Sequence, residues 1–222
     1  MAGRRIDIGV EVGAKKTFVW ATAWPGWSRG GKHRDLAIEA FLAAAPRYAR
    51  VARRADLPFG DVTADDLRTV TTTKGSAGTD FGIPYEIVDD DRRPVTAKEA
   101  ERLASLVKAA WAEFDAVAKR TPPTLRKGPR GGGRDRDKMI DHVIGADHAY
   151  ALECGVKVPA GSLDERPAVL AERRAVLEVL GAPSDGSPLA GRKWPQRYAA
   201  RRIAWHALDH AWEMEDRTEP DG

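Results

Sequence analysis

The chain has 222 residues, 31% of them charged and 42% hydrophobic, enough for one large or two small soluble domains with a sizeable core. A net charge of +3 makes nucleic acid an unlikely partner, and a single cysteine, Cys154, excludes an intrachain disulfide and fits a reducing cytoplasm. No apolar run reaches the roughly 18–20 residues of a membrane span, and no apolar stretch follows Arg4-Arg5 as in a signal peptide, so a cytoplasmic protein without membrane contact is expected.

In chain order, Arg5 to Val12 alternates, with Ile6, Ile8, Val10 and Val12 on one face, and predicts a half-buried strand. Gly13 to Lys16 is a turn, and Thr17–Ala23 is the second strand of a hairpin ended by Trp24-Pro-Gly-Trp27. A helix is expected from about Arg34 to Arg53, with Leu36, Ala40, Phe41 and Ala44 inward and a kink or break at Pro46. Leu67–Thr73 and Pro84–Val88 are further short strand candidates. The charged break Asp89–Pro94 divides an α+β unit, residues 1–93, from a helical unit, residues 94–222. His33, at a loop-to-helix junction, reads as a surface residue.

The second unit opens on Thr96-Ala-Lys-Glu99, a capping box in which hydroxyl and carboxylate satisfy free backbone N–H groups at a helix start. That helix runs to about Arg120. Three more follow, over about 135–153 closed by Gly155, from about Gly161 to Leu180, and from Trp194-Pro195 to about Arg217. Four amphipathic helices give a four-helix bundle. Cys154 reads as a small buried thiol.

Ile203 to Arg217 carries the most specific chemistry. His206 and His210 are four apart and share a helix face with Ala199, Ile203, Ala207 and Met214. Two readings compete: a pair of hydrogen-bonded core histidines, or two imidazoles offered to one metal ion. On the second bundle helix His142 borders the inward stripe of Met139, Val143, Ala146 and Tyr150, while His148 projects outward and should be exposed. His142, His206 and His210 would then form a three-imidazole site with a fourth position open, suited to Zn²⁺ or Ni²⁺. Asp147 and Asp209 are candidate partners for ring N–H groups, against ordinary surface or cap roles, and Glu213 is a surface carboxylate near the same face.

The loop Leu125–Arg136 holds Arg126, Arg130, Arg134 and Arg136 around Gly131–Gly133. It is either a basic linker or an anion cradle at the mouth of the site, with Arg130 and Arg134 as the substrate contacts.

Val10–Ala52, with its strand, turn, strand, Trp24-Pro-Gly26 turn, Gly30-Gly31 and Ala-rich helix, resembles a HicB-like domain, the antitoxin module with a partial ribonuclease-H-like sheet. That resemblance implies a protein partner for the N-terminal half. Residues 96–217 resemble the DinB/YfiT-like family, in which one His on the second helix and a His-x-x-x-His pair on the last bind a divalent metal. His142, His206 and His210 match in order. The resemblance implies a homodimer and, in some relatives, transfer to a low-molecular-weight thiol such as mycothiol or bacillithiol. Three functions stay open on these residues: a metal-dependent thiol S-transferase or small-molecule hydrolase, a non-catalytic binding or regulatory module, and nucleic-acid binding through the Arg-rich loop.

Overall fold

The structure is a computed structural model that describes residues 5–128 and 132–218. It is a mixed α+β architecture of seven α-helices and a four-stranded sheet among the described residues. Strands β1 (Ile6–Val12) and β2 (Thr17–Ala21) form the expected antiparallel hairpin, with Val10 opposite Val19. Gly13 N–H closes its turn on the Lys16 carbonyl at 2.8 Å. A third strand, β3 (Ser28–Gly31), continues the meander on the outer side of β2. After two helices the chain returns as β4 (Leu67–Lys74), which runs parallel to β1, so the order is β3-β2-β1-β4.

The alternation in β1 is incomplete as a guide to burial. Val12 is exposed, whereas Gly9 and Glu11 on the opposite face are buried. Both faces of the sheet are therefore covered at β1 and β2, while edge strand β4 has no buried residue. Ile8, Val10 and Val19 join the core that holds Ala37, Phe41 and Tyr48. On the other face Gly9 leaves room for the Trp20 ring, and the Arg201 guanidinium sits 4.8 Å over that ring. Pro84–Val88 is not a strand. Tyr85 and Glu86 N–H groups each donate to the Glu11 carboxylate at 3.0 Å, so a buried side chain takes the bonds a ladder would have used.

The helix expected over 34–53 is two, α1 (Arg34–Ala43) and α2 (Ala45–Arg54), with Pro46 in the first turn of α2 where its missing N–H costs nothing. A short helix, α3 (Ala77–Phe81), covers the β1–β2 turn: Asp80 accepts Lys15 N–H at 2.6 Å and Lys16 N–H at 3.2 Å.

The long helices are α4 (Ala97–Arg120), α5 (Arg136–Glu153), α6 (Arg166–Leu180) and α7 (Gln196–Arg217). The Thr96–Glu99 box caps α4 as read from the sequence. Helix α5 ends in a left-handed Gly155 at φ +79°, with Val156 N–H returning to the Ala151 carbonyl at 2.9 Å, the pattern that satisfies last-turn carbonyls. Helix α4 packs on α6 and α7, and α5 packs on the same two.

The apolar core is continuous from Ile6 to Met214 and crosses the Asp89–Pro94 segment without a gap. That segment is a 3₁₀ turn whose Asp91 is buried and bonded twice by Arg201 of α7, at 2.9 and 2.7 Å. Gly26, at φ +90°, lets the Trp24–Trp27 turn press on α7, since a Cβ there would stand 2.7 Å from Leu208. Among the described residues no helix is long and apolar enough to cross a membrane.

Candidate metal centre

Helix α7 is buried along most of its length because it touches the sheet turn on one side and α4 and α5 on others. His206 and His210 lie one turn apart on its α5-facing stripe. His142 reaches them from α5, as the rotation of that helix in the sequence predicted. The ring centroids are 4.6 Å apart for His206 and His210, 5.1 Å for His142 and His206, and 4.8 Å for His142 and His210. One nitrogen from each ring lies within 4.8 Å of the others. Tetrahedral zinc with N ligands at about 2.0–2.1 Å sets nitrogens about 3.4 Å apart, so these rings stand near ligand spacing but wider than it.

The residues fit a divalent ion on a second count. His206 Nδ1 is buried and has no hydrogen-bond partner among the described residues. Buried ring nitrogens in most cores are bonded, but the indole nitrogens of Trp205 and Trp212 share this state here, so the orphan counts only together with the convergence of the three rings. Here the nearest groups are two more imidazoles, the edge of Tyr150 at 5.5 Å from the His206 centroid, and the Arg202 guanidinium on Tyr150 Oη at 3.1 Å.

The electrostatics keep two of the rings, His142 and His206, neutral. Burial, followed by the charges of His210 and Arg134, pushes His142 down to about 4. Burial pushes His206 well below its ordinary value, helped by His210, Arg202 and His142. Neutral imidazole is the ligand form. His210 differs because Glu213, one turn on, sits 3.0 Å from its Nδ1. The bond from His210, with Arg217 beside it, holds the Glu213 carboxyl below the usual range against burial. Nδ1–H donating to a carboxylate leaves Nε2 with its lone pair free to ligate.

Glu213, three residues after His210, is thus the partner that the sequence reading left on the surface. The two aspartates go elsewhere. Asp147 is buried and takes Arg173 Nε and Nη2 at 3.1 and 3.0 Å, and Asp209 takes Arg29 at 2.9 Å. His148 is not exposed: its Nδ1 lies 2.5 Å from the buried carboxylate of Glu172 on α6. Cys154 is buried, and burial pushes its thiol up to about 12, so it is a packing residue. His33 is exposed just before α1, as expected.

The Arg-rich loop is docked on α7 where it is described. Arg126 N–H donates to the Arg217 carbonyl at 3.0 Å, Arg217 Nε returns a bond to the Arg126 carbonyl at 2.7 Å, and Lys127 pairs with Asp135 at 2.5 Å. Arg134 is exposed, and its charge acts on His142 and His206. Arg136 pairs with Asp137 instead. Arg130 lies outside the described residues.

No family model, curated protein or solved structure matches the chain.

Proposed function

We propose that the protein is a DinB-like divalent-metal protein, with His142, His206 and His210 as the ligands of one zinc or nickel ion and an exchangeable fourth position. The observation that carries this is the convergence of three buried or half-buried imidazoles from α5 and α7, one with an orphaned ring nitrogen. A divalent ion held there by His142, His206 and His210 would supply Lewis acidity, which would suit a small-molecule hydrolase or a thiol S-transferase.

The chain's own residues supply the rest. Glu213 fixes the His210 tautomer and ring plane. Tyr150, with Trp194 at 5.1 Å and Arg202 on its hydroxyl, forms one wall and limits water. Arg134, exposed and felt by two of the rings, favours an anionic substrate. A low-molecular-weight thiol co-substrate and a homodimer belong to the same reading. A meander of three strands with a fourth returning parallel is the support for a HicB-like N-terminal half.

The test is metal content. Wild type incubated with Zn²⁺ or Ni²⁺ and desalted should hold one ion per chain, His206→Ala and His210→Ala none, and His148→Ala one. A wild type that emerges metal-free would reduce the three residues to core histidines.

A further inference from the structure

The β1–β2 turn and β3 build a second feature beside α7. Lys15, Lys16, Arg29 and Lys32 line an open cleft of about 540 Å³ together with Phe18, Asp80 and Asp209. Both carboxylates are already engaged. Asp80 accepts the Lys15 and Lys16 backbone N–H groups, and Asp209 accepts Arg29. Among the described residues, Lys15, Lys16 and Lys32 make no ion pair. Four cations against two carboxylates leave the cleft with a surplus of two positive charges.

The cations are positioned by the fold. Asp80 fixes the turn that carries Lys15 and Lys16. Gly82, at φ +118°, leaves space for the Lys16 ammonium, whose Nζ lies 3.0 Å from where a Cβ would stand. Arg29 is held between Asp209 and the Trp212 ring, its guanidinium carbon 5.3 Å from the ring centroid. A guanidinium has five donors, so the bond to Asp209 leaves others for a ligand.

The cleft is next to the histidine cluster. Asp209 is one of its walls, and His206, three residues earlier on α7, is its i, i+3 neighbour with Cβ atoms about 5–6 Å apart, so cleft and cluster adjoin on that helix. Its volume falls within the roughly 300–1,000 Å³ of small-molecule sites.

We infer that this cleft is the anion subsite of the proposed metal centre, taking the doubly charged group of a small substrate, a phosphomonoester or a dicarboxylate. The inference rests on the metal reading for its role in the reaction, but the binding of the dianion does not need the metal. Ammonium groups act as point charges for either anion, and the Arg29 fork adds directed bonds.

The experiment titrates the full chain with inorganic phosphate and, separately, with succinate, by calorimetry at constant ionic strength, with chloride as the control. Wild type and His206→Ala should bind at least one dianion alike. The triple variant Lys15→Gln/Lys16→Gln/Lys32→Gln, whose changes are all at exposed side chains, should keep its circular dichroism and melting temperature and bind about tenfold more weakly or less. A preference for phosphate or for succinate assigns the headgroup. In Ni²⁺-loaded protein the ³¹P relaxation of bound phosphate should be enhanced by the paramagnetic ion, and the triple variant should lose that enhancement. Binding that is lost in His206→Ala but kept in the triple variant would place the anion on the metal and overturn the cleft. Heats no larger than those of chloride would also overturn it. A wild type that takes up no metal but still binds the dianion would sink the metal centre and leave the cleft standing.

Discussion

Helix α5 carries two histidines that end in opposite circumstances. His148 faces α6 and meets the carboxylate of Glu172, next to a buried Asp147–Arg173 pair that Asp115 extends. In that cluster every charged group has an opposite partner, although Asp147 Oδ1 is left without a hydrogen bond among the described residues. His142 faces α7 and meets two more imidazoles, with no carboxylate of its own and a neighbour whose ring nitrogen is orphaned. Burying polar groups is costly in both places. The first cluster offsets that cost internally, by ion pairing. The second has no ion pair to offset it at His142 and His206, and under the proposed reading a metal ion would do so. The contrast is between a polar cluster closed by ion pairs and one that is not.

The largest effect that would break this contrast is on the closed side. Arg173→Ala strands the Asp147 carboxylate in the core, and removing one partner of a buried pair costs about 3–5 kcal/mol. Urea unfolding should show that loss while metal content stays at the wild-type level. If Arg173→Ala instead lost metal at unchanged stability, the roles of the two clusters would be exchanged.

Next comes the bond that orients His210. Glu213→Gln keeps the shape but weakens the hold on the ring, and partners of this kind are worth about 10–100-fold in metal affinity. Competition with a chromophoric chelator measures it. An unchanged affinity would return Glu213 to the surface role that its sequence position suggested.

The third test is pH. In metal-free protein His142 titrates near 4, below its ordinary 6.5. Between those values the unfolded chain binds a proton that the folded chain does not, so stability should fall as pH drops from about 6.5 towards 4 and level off above 6.5. The drop should be on the order of 1–2 kcal/mol once solvent screening is allowed for. His142→Asn should make that limb shallower by its own share, with the share of buried His206 remaining. A slope equal to that of the wild type would remove the electrostatic half of the contrast.

The smallest effect is a control outside both clusters. Glu99 is held down at about 2 by the Thr96 backbone N–H and by Arg197. Its contribution is present above the unfolded value of 4.5 and is lost as pH falls towards 2. Glu99→Gln should cost about 0.5–1 kcal/mol at neutral pH, a gap that closes in acid and leaves metal binding untouched. A Glu99 variant that altered metal content would show that global stability, not the ligands, sets occupancy.

Much of the histidine cluster was legible because helices impose it. The i, i+4 spacing of His206 and His210 and the inward border position of His142 are local facts, and packing α5 on α7 completed them. Glu213 was readable by the same rule at i, i+3 but was assigned by its residue type. The Arg29–Asp209 pair had no local signal, since its partners lie at opposite ends of the chain. Strand β3 was missed because Ser28-Arg-Gly-Gly31 has no apolar alternation, and its pairing with β2 alone makes it a strand. Pro84–Val88 had strand composition, but the buried Glu11 claimed its N–H groups. His148 reads as exposed only until α6 brings Glu172 to it.

The proposed ligand set would have a topological consequence. Two of its rings come from adjacent turns of α7, so they are in register whenever that helix forms. The third comes from α5, across the whole of α6 and its loops. An ion bridging them would tie two distant points of the chain and shrink the freedom of the unfolded ensemble, as a reversible cross-link does. Hydrogen exchange along α5 would then report occupancy more directly than exchange along α7, because α5 is the arm that the clasp closes.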